Sequence, residues 1–431
     1  MQERNPTRDR LAFGVVTAVF FMWGFITVLN DVLVPHLKSV FALDYTRIML
    51  IQFCFFGAYF LMSLPSGKVV SSFGCKNSII LGLIVTGLGA LLFYPAALLP
   101  SYGVFLTALF ILASGITLLQ VAANPYVSLL GPPKGASSRL NLSQAFNSLG
   151  TALAPKFGGL LILTGGVLGA AELAKLDSAQ QLAYRLQQAQ SVEIPYMGIA
   201  ITLFLLAGIV YLFHLPAVQE VDVPVQTTHP YLDVLRHRHL FYGVIAIFVY
   251  VGAEVSIGSF MINYISLPEI GDMPQVRAAN FVALYWSGAM VGRFIGSALL
   301  QRIDARRLLA VFAAVAALLV LTTMLTSGMV AVASVVAIGL FNSIMFPNIF
   351  TFGIEKLGPL TGRASSLLVM AIVGGAIIPL AQGTLADTFG VHHAFILPLL
   401  CYLYIVFYAL NGSRTDRHSL LARFRDASAH G

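Results

Sequence analysis

Asp31 ends the run Trp23-Gly24-Phe25-Ile26-Thr27-Val28-Leu29-Asn30-Asp31, inside an apolar stretch that begins at Leu11 and ends near Pro35. A carboxylate in a membrane-spanning helix costs roughly 2.5–3.5 kcal/mol on insertion scales, so such residues ordinarily face a polar interior and take part in function. At ~100° per residue, Trp23, Thr27, Asn30 and Asp31 fall on one arc of a helix. That arc offers a carboxylate, an amide, a hydroxyl and a flat ring, which suits a polyhydroxylated solute and a cation together. The bland alternative is a carboxylate that pairs with another helix to hold a bundle.

Other polar residues recur inside apolar runs. Ser114, Thr117, Gln120 and Asn124 lie within one arc of a fourth run, and Pro125 follows at once. A proline deep in a span frees a backbone carbonyl that must be satisfied or must line a cavity. Gln144, Asn147, Ser148 and Thr151 follow at i, i+3, i+4 and i+7 in a fifth run. Neutral amides and hydroxyls both donate and accept hydrogen bonds, so they suit an uncharged sugar; the competing role is to join helices. Further on, Tyr250 and Glu254 stand one turn apart on one face. Tyr285 and Trp286 offer rings for stacking, and Asn342 and Pro347-Asn348 lie in a tenth run. Arg293 reads as structural, pairing near a basic turn or capping carbonyls. Lys156, just after Pro155, either snorkels to the surface or supplies a fixed positive charge to Asp31 or Glu254.

Long apolar helices must position these groups. The 431 residues are 58% hydrophobic and 10% charged, whereas soluble domains carry about 25% charged residues. Such a chain takes the lipid bilayer as its solvent. At ~20 apolar residues per span, twelve spans are expected, at 11–35, 46–70, 77–98, 102–130, 138–165, 193–214, 239–266, 276–301, 306–326, 329–355, 361–387 and 391–411. Eighteen Lys and Arg fall on the side of the termini and even-numbered loops and five on the other. By the positive-inside rule both termini are cytoplasmic. The net charge of +7 then reflects topology and anionic headgroups, not nucleic acid. Cys54, Cys75 and Cys401 read as small buried hydrophobes. The first span has no cleavage site and reads as an uncleaved helix.

The expected fold class is all-α integral membrane, twelve transmembrane helices in two pseudo-symmetric halves. Residues 1–215 form the first half, 216–238 a cytoplasmic linker rich in Pro, His and charge, and 239–431 the second half with a short cytoplasmic tail. Gly57-Ala58-Tyr59 with its later basic turn is echoed by Gly288-Ala289-Met290 and Asp304-Ala305-Arg306-Arg307; Ala136-Ser137-Ser138 is echoed by Ala364-Ser365-Ser366. The offsets are nearly equal. Repeats of six spans about a central loop mark a transporter whose halves rock about a central site. The outer loop 166–192 holds Leu173, Leu176, Leu182 and Leu186 at helical spacing, either an amphipathic helix over the outer mouth or a plain surface helix.

Several blocks resemble a known family. Phe21-Met22-Trp23-Gly24-Phe25-Ile26-Thr27 with Leu29-Asn30-Asp31 and Pro35-His36-Leu37-Lys38 is similar to the fucose/galactose/glucose symporters of the major facilitator superfamily. So are the runs from Gly115 to Tyr126 and from Ser138 to Gly150; the run from Tyr250 to Phe260 points to the glucose/galactose branch. The resemblance implies sugar import coupled to a cation gradient. Asp31 occupies the place of the fucose branch's proton-coupling aspartate. Gln120 stands where that branch has a glutamate, so its two-carboxylate scheme does not transfer intact. Asn147 matches a sugar contact, and Glu254, typical of the glucose/galactose branch, is placed to take over the missing carboxylate's role.

The expectation is an importer in a bacterial-type inner (plasma) membrane, acting as a monomer on a glucose- or galactose-type hexose with H+ or Na+. Asp31 and Glu254 are the candidate coupling residues, with a possible Na+ near Asp31. Asn30, Gln120, Asn124, Gln144, Asn147, Tyr250, Trp286 and Asn342 are the candidate sugar contacts. No cofactor is called for. A membrane enzyme is disfavoured because no His/Cys/carboxylate cluster or nucleophile–base pair stands out. A sugar receptor would need a signalling domain beyond the short tails, and a drug exporter a more apolar interior. A sugar uniporter remains open.

Overall fold

The computed structural model describes residues 6–41, 45–98, 101–161, 192–213, 215–216 and 231–415, with short pieces between 176 and 184. Within these, the side chains of 6–9, 30–50, 52, 155–156, 158–161, 232 and 275–276 lie outside the described set. All the regular secondary structure among the described residues is helical. The long helices are α1 (Pro6–Phe41), α2 (Tyr45–Leu91), α3 (Tyr102–Leu129), α4 (Ala136–Leu161), α5 (Glu193–Leu212), α6 (Arg238–Ile265), α7 (Gln275–Leu299) and α8 (Ala305–Leu325). They are followed by α9 (Gly328–Asn342), α10 (Met345–Gly353), α11 (Thr361–Met370), α12 (Gly374–Phe389) and α13 (Ile396–Phe407).

Nine helices among the described residues are long and apolar enough to cross a membrane. One of them, Phe53–Leu98, has 46 residues, about twice the ~20 that a crossing needs. α4 and α7, with 26 and 25 residues, have the length but more polar side chains. With α2 crossing twice and α4 and α7 added, the twelve expected spans are accommodated by length.

Two spans differ from expectation for local reasons. Spans two and three do not: the helix is broken between them at Gly74 (φ 73, ψ 168), a conformation open to glycine because it has no Cβ. Span ten is interrupted at Ser343–Ile344, and span eleven passes through a 3-10 turn at Ala371–Val373. By contrast α3 runs through Pro125 to Leu129. The basic turn before span nine is a helix cap: the Asp304 carboxylate accepts from the backbone N–H of Arg306 at 3.1 Å and of Arg307 at 3.0 Å. This satisfies two N–H groups that a helix start leaves free.

The chain packs as two compact units. The first comprises Met1–Pro132 and Leu142–Val218. There α1 lies directly on α4: a Cβ on Gly24 would run into the Asn147 carbonyl oxygen, and one on Gly150 into that of Phe21. The second unit comprises Pro133–Asn141 and Gln219–Gly431. Pro133–Asn141 is held there by Ser137 Oγ against Thr351 Oγ1 at 2.8 Å, by Ser138 Oγ donating to Ser297 O at 2.8 Å, and by Asn141 Nδ2 donating to Asn348 Oδ1 at 3.2 Å. Elsewhere in this unit the Arg306 guanidinium lies over the Phe352 ring and pairs with Glu355. The expected helix in the outer loop falls almost wholly outside the described residues.

Candidate functional site

In the first unit the candidate amides of α3 and α4 turn inward. Gln120, Asn124, Gln144 and Asn147 are all buried, none more than 8% exposed. Gln144 Nε2 approaches Asn124 Oδ1 at 3.4 Å, which brings two candidates together. Among the described residues, the Asn124 amide nitrogen has no hydrogen-bond partner. Gln120 Nε2 donates to the Tyr59 hydroxyl at 2.6 Å, and the Trp23 indole bonds the same hydroxyl. Tyr59 therefore ties α1, α2 and α3 at one point. The sequence quotes Tyr59 only within a repeat, because no local spacing tells that its hydroxyl reaches the fourth span. Asn147 Nδ2 donates to Phe20 O at 2.9 Å, so it holds α1 against α4. Thr27 Oγ1 donates back to Trp23 O at 2.9 Å.

Asn30 and Asp31 lie in α1, about two turns beyond Trp23. Their side chains, like that of Lys156 in α4, are outside the described residues.

In the second unit three candidates join one network. Asn342, fully buried at the end of α9, accepts from the Tyr402 hydroxyl through Oδ1 at 2.7 Å and donates from Nδ2 to the Tyr285 hydroxyl at 2.7 Å. Its carbonyl accepts from the Tyr250 hydroxyl at 3.0 Å. Tyr285 in turn donates to the Glu254 carbonyl at 3.2 Å. The amide is thus bonded on both ends, and Tyr250 and Tyr285 have no exposed surface. Tyr285 is enclosed by its neighbours and does not offer a ring face for stacking. Trp286 is the exposed member, at 44%, packed edge-on to Tyr285 with ring centroids 5.1 Å apart.

Glu254 has a charge partner on another helix. Arg293 Nη2 lies 4.0 Å from Glu254 Oε1, with the two side chains 13% and 12% exposed. Arg293 Nε also donates to Ser343 O at 3.3 Å. The expectation of a carbonyl cap at Arg293 agrees with this bond; its expected ion pair at the basic turn is replaced by Glu254. The loop of chain between α6 and α7 separates the two charges in sequence, which is why neither reveals the other there. Tyr250 lies beside the same carboxylate, so its one phenolic proton has two acceptors within reach.

The chemistry of these buried amides and phenols is that of hydrogen bonding to neutral groups; among the described residues they include no nucleophile poised by a base. The family model for the Major Facilitator Superfamily matches residues 11–378. A glucose/galactose transporter of Brucella abortus is 52% identical over 404 residues, covering 94% of each chain. An L-fucose-proton symporter of Escherichia coli is 36% identical, covering 94% of each chain. The crystal structure of the Escherichia coli fucose:proton symporter matches with a TM-score of 0.88 and 35% identity, over 94% of this chain and 99% of that one. With its all-helical, multi-pass architecture, this chain belongs to the major facilitator superfamily, a family of membrane transporters and not of enzymes.

Proposed function

We propose that the protein imports a hexose of the glucose/galactose type, driven by a cation gradient through alternating access. The match at 52% identity across 94% of both chains to a glucose/galactose transporter carries this reading. The amides of Gln120, Asn124, Gln144 and Asn147 support it, because an uncharged polyol asks for neutral groups that donate and accept. Asn30, Tyr250, Trp286 and Asn342 complete the proposed contacts, with Trp286 the one ring in the second unit's set with an open face.

Asp31 is the proposed coupling carboxylate and Glu254 its assistant. The Arg293 guanidinium beside Glu254 supports the lesser role, since a countercharge already balances it. Either H+ or Na+ serves; a sodium ion would take oxygens from Asp31, Asn30 and Thr27. The excess of basic residues on one side supports cytoplasmic termini in a bacterial inner membrane, with the two halves joined by the linker 216–238. Uptake into liposomes of glucose, galactose, mannose and fucose, under imposed proton and sodium gradients separately, tests the reading. Accumulation of glucose or galactose under one gradient is expected. Equilibration without accumulation makes the protein a uniporter, and no hexose uptake at all overturns the assignment.

A further inference from the structure

α6 and α12 run side by side in a single register. A Cβ on Gly374 would meet the Phe248 carbonyl, and one on Gly252 would meet the Ile378 side chain and the Gly374 carbonyl. Each step is four residues on both helices, one turn of each. The next step brings Gln382 opposite Ser256. Packing continues beyond it, because a Cβ on Gly383 would lie 3.7 Å from the Phe260 ring.

Gln382 and Ser256 have no exposed surface. Among the described residues, Gln382 Oε1, Gln382 Nε2 and Ser256 Oγ all lack a hydrogen-bond partner. They do not bond each other, so they do not act as a direct tie between helices. Pro379, inside α12, has no N–H to give to the carbonyl of Gly375 one turn earlier. Gly375 is itself buried and lies on the same face as Gln382, seven residues apart. The seam therefore gathers an amide and a hydroxyl with their hydrogen bonds unmade, beside a carbonyl that Pro379 cannot serve. An unpaired buried group of this kind is strongly disfavoured, so a partner is called for.

The donor set defines that partner. Oε1 and the carbonyl need a donor, while Nε2 needs an acceptor. A cation would leave Nε2 facing it, and an anion would leave Oε1 facing it. Glu254, the nearest charge on α6, is two residues and ~200° round the helix from Ser256, engaged with Arg293. One neutral hydroxyl satisfies both ends of the amide at once. We infer that Gln382 and Ser256 form a seat for a single neutral hydroxyl group between α6 and α12. Two sources supply that chemistry: a resident water molecule, or a hydroxyl of the transported sugar. The sugar source rests on the function proposed above; the water source does not.

Gln382→Met, close in shape but apolar, separates these cases in the purified full-length protein. Ser256→Ala is the second variant, small enough to fold should Gln382→Met fail. Thermal unfolding is measured without sugar, and the affinity for glucose, galactose and their monodeoxy analogues by equilibrium binding. A seated sugar hydroxyl predicts a loss of roughly 5- to 150-fold in affinity. One monodeoxy analogue, lacking that hydroxyl, would then bind wild type and variant alike. A seated water predicts a lower unfolding midpoint without sugar, and the same affinity change, or none, for every analogue. The inference is overturned if both variants unfold at or above the wild-type temperature with all affinities unchanged, because removing a truly vacant amide stabilises the fold. Should wild type bind no hexose, the proposed function fails, and the unfolding measurement still decides the seat.

Discussion

Removing one member of the Glu254–Arg293 pair leaves a charge in a low-dielectric interior, and that penalty exceeds the net worth of the pair. Arg293→Met is expected to destabilise the protein by about 3–5 kcal/mol, and Arg293→Met combined with Glu254→Gln to recover most of the loss. Thermal unfolding of the single and double variants checks this; a double variant no better than the single one would show that the two side chains act independently. Asn147 carries two duties, since Nδ2 holds Phe20 O while Oδ1 is proposed for the sugar. Asn147→Ala is expected to weaken sugar binding by about 1–3 kcal/mol, read by titration; normal affinity would remove it from the site. Of the two tryptophans, Trp23 is 7% exposed and Trp286 44%. Sugar-dependent quenching of fluorescence should therefore vanish in Trp286→Phe, and quenching that persists would count against stacking. At this scale the sequence reveals which residues are polar within apolar runs, but not their partners. Tyr402 and Asn342 are bonded at 2.7 Å from different spans, and no periodicity within one helix encodes that meeting.

Helices here approach closely where a side chain is missing. Gly24 against Asn147 and Gly150 against Phe21 bring α1 onto α4 with backbone nearly touching backbone, a contact that dispersion and small residues favour in lipid. Gly24→Ala should push the helices apart and destabilise by about 1–3 kcal/mol, the usual range for overpacking. Gly14→Ala is the control: nothing lies within 4 Å of a Cβ there, and alanine favours helix over glycine. Unfolding midpoints should fall for the first and hold or rise for the second; equal effects would mean that the α1–α4 contact is not the constraint. The number and rough placement of the helices were legible, because the length of an apolar run sets the length of a span. α6, expected at 239–266, spans Arg238–Ile265. The break at Gly74 falls between the expected spans 46–70 and 77–98, whereas the break at Ser343–Ile344 was not legible, since it depends on what packs beside a short stretch and not on its own composition.

For the whole molecule, transport against a gradient requires that sugar and cation cross together, so a coupling carboxylate must change its cation occupancy between the two faces of the membrane. Asp31 is the proposed group because it lies in α1 beyond the Tyr59–Trp23 junction, and because Gln120, at the place where the fucose branch carries a glutamate, cannot titrate. If a proton is carried, Asp31 must hold it facing outside and release it inside. That cycle needs an environment facing outside that favours the neutral acid, as desolvation does. If sodium is carried, Asp31 stays ionised and the uptake depends on sodium at constant pH. In both cases Asp31→Asn should abolish gradient-driven accumulation yet spare exchange of labelled for unlabelled sugar, because exchange needs no net movement of the ion. Liposomes loaded with sugar measure both quantities in one preparation. Accumulation that survives Asp31→Asn would sink the assignment, and its loss only in Glu254→Gln would move coupling to the second unit. If the wild type exchanges sugar but never concentrates it, coupling is absent, and Lys156 is the next residue to replace: a fixed positive charge near Asp31 would do permanently what the cation does in a symporter.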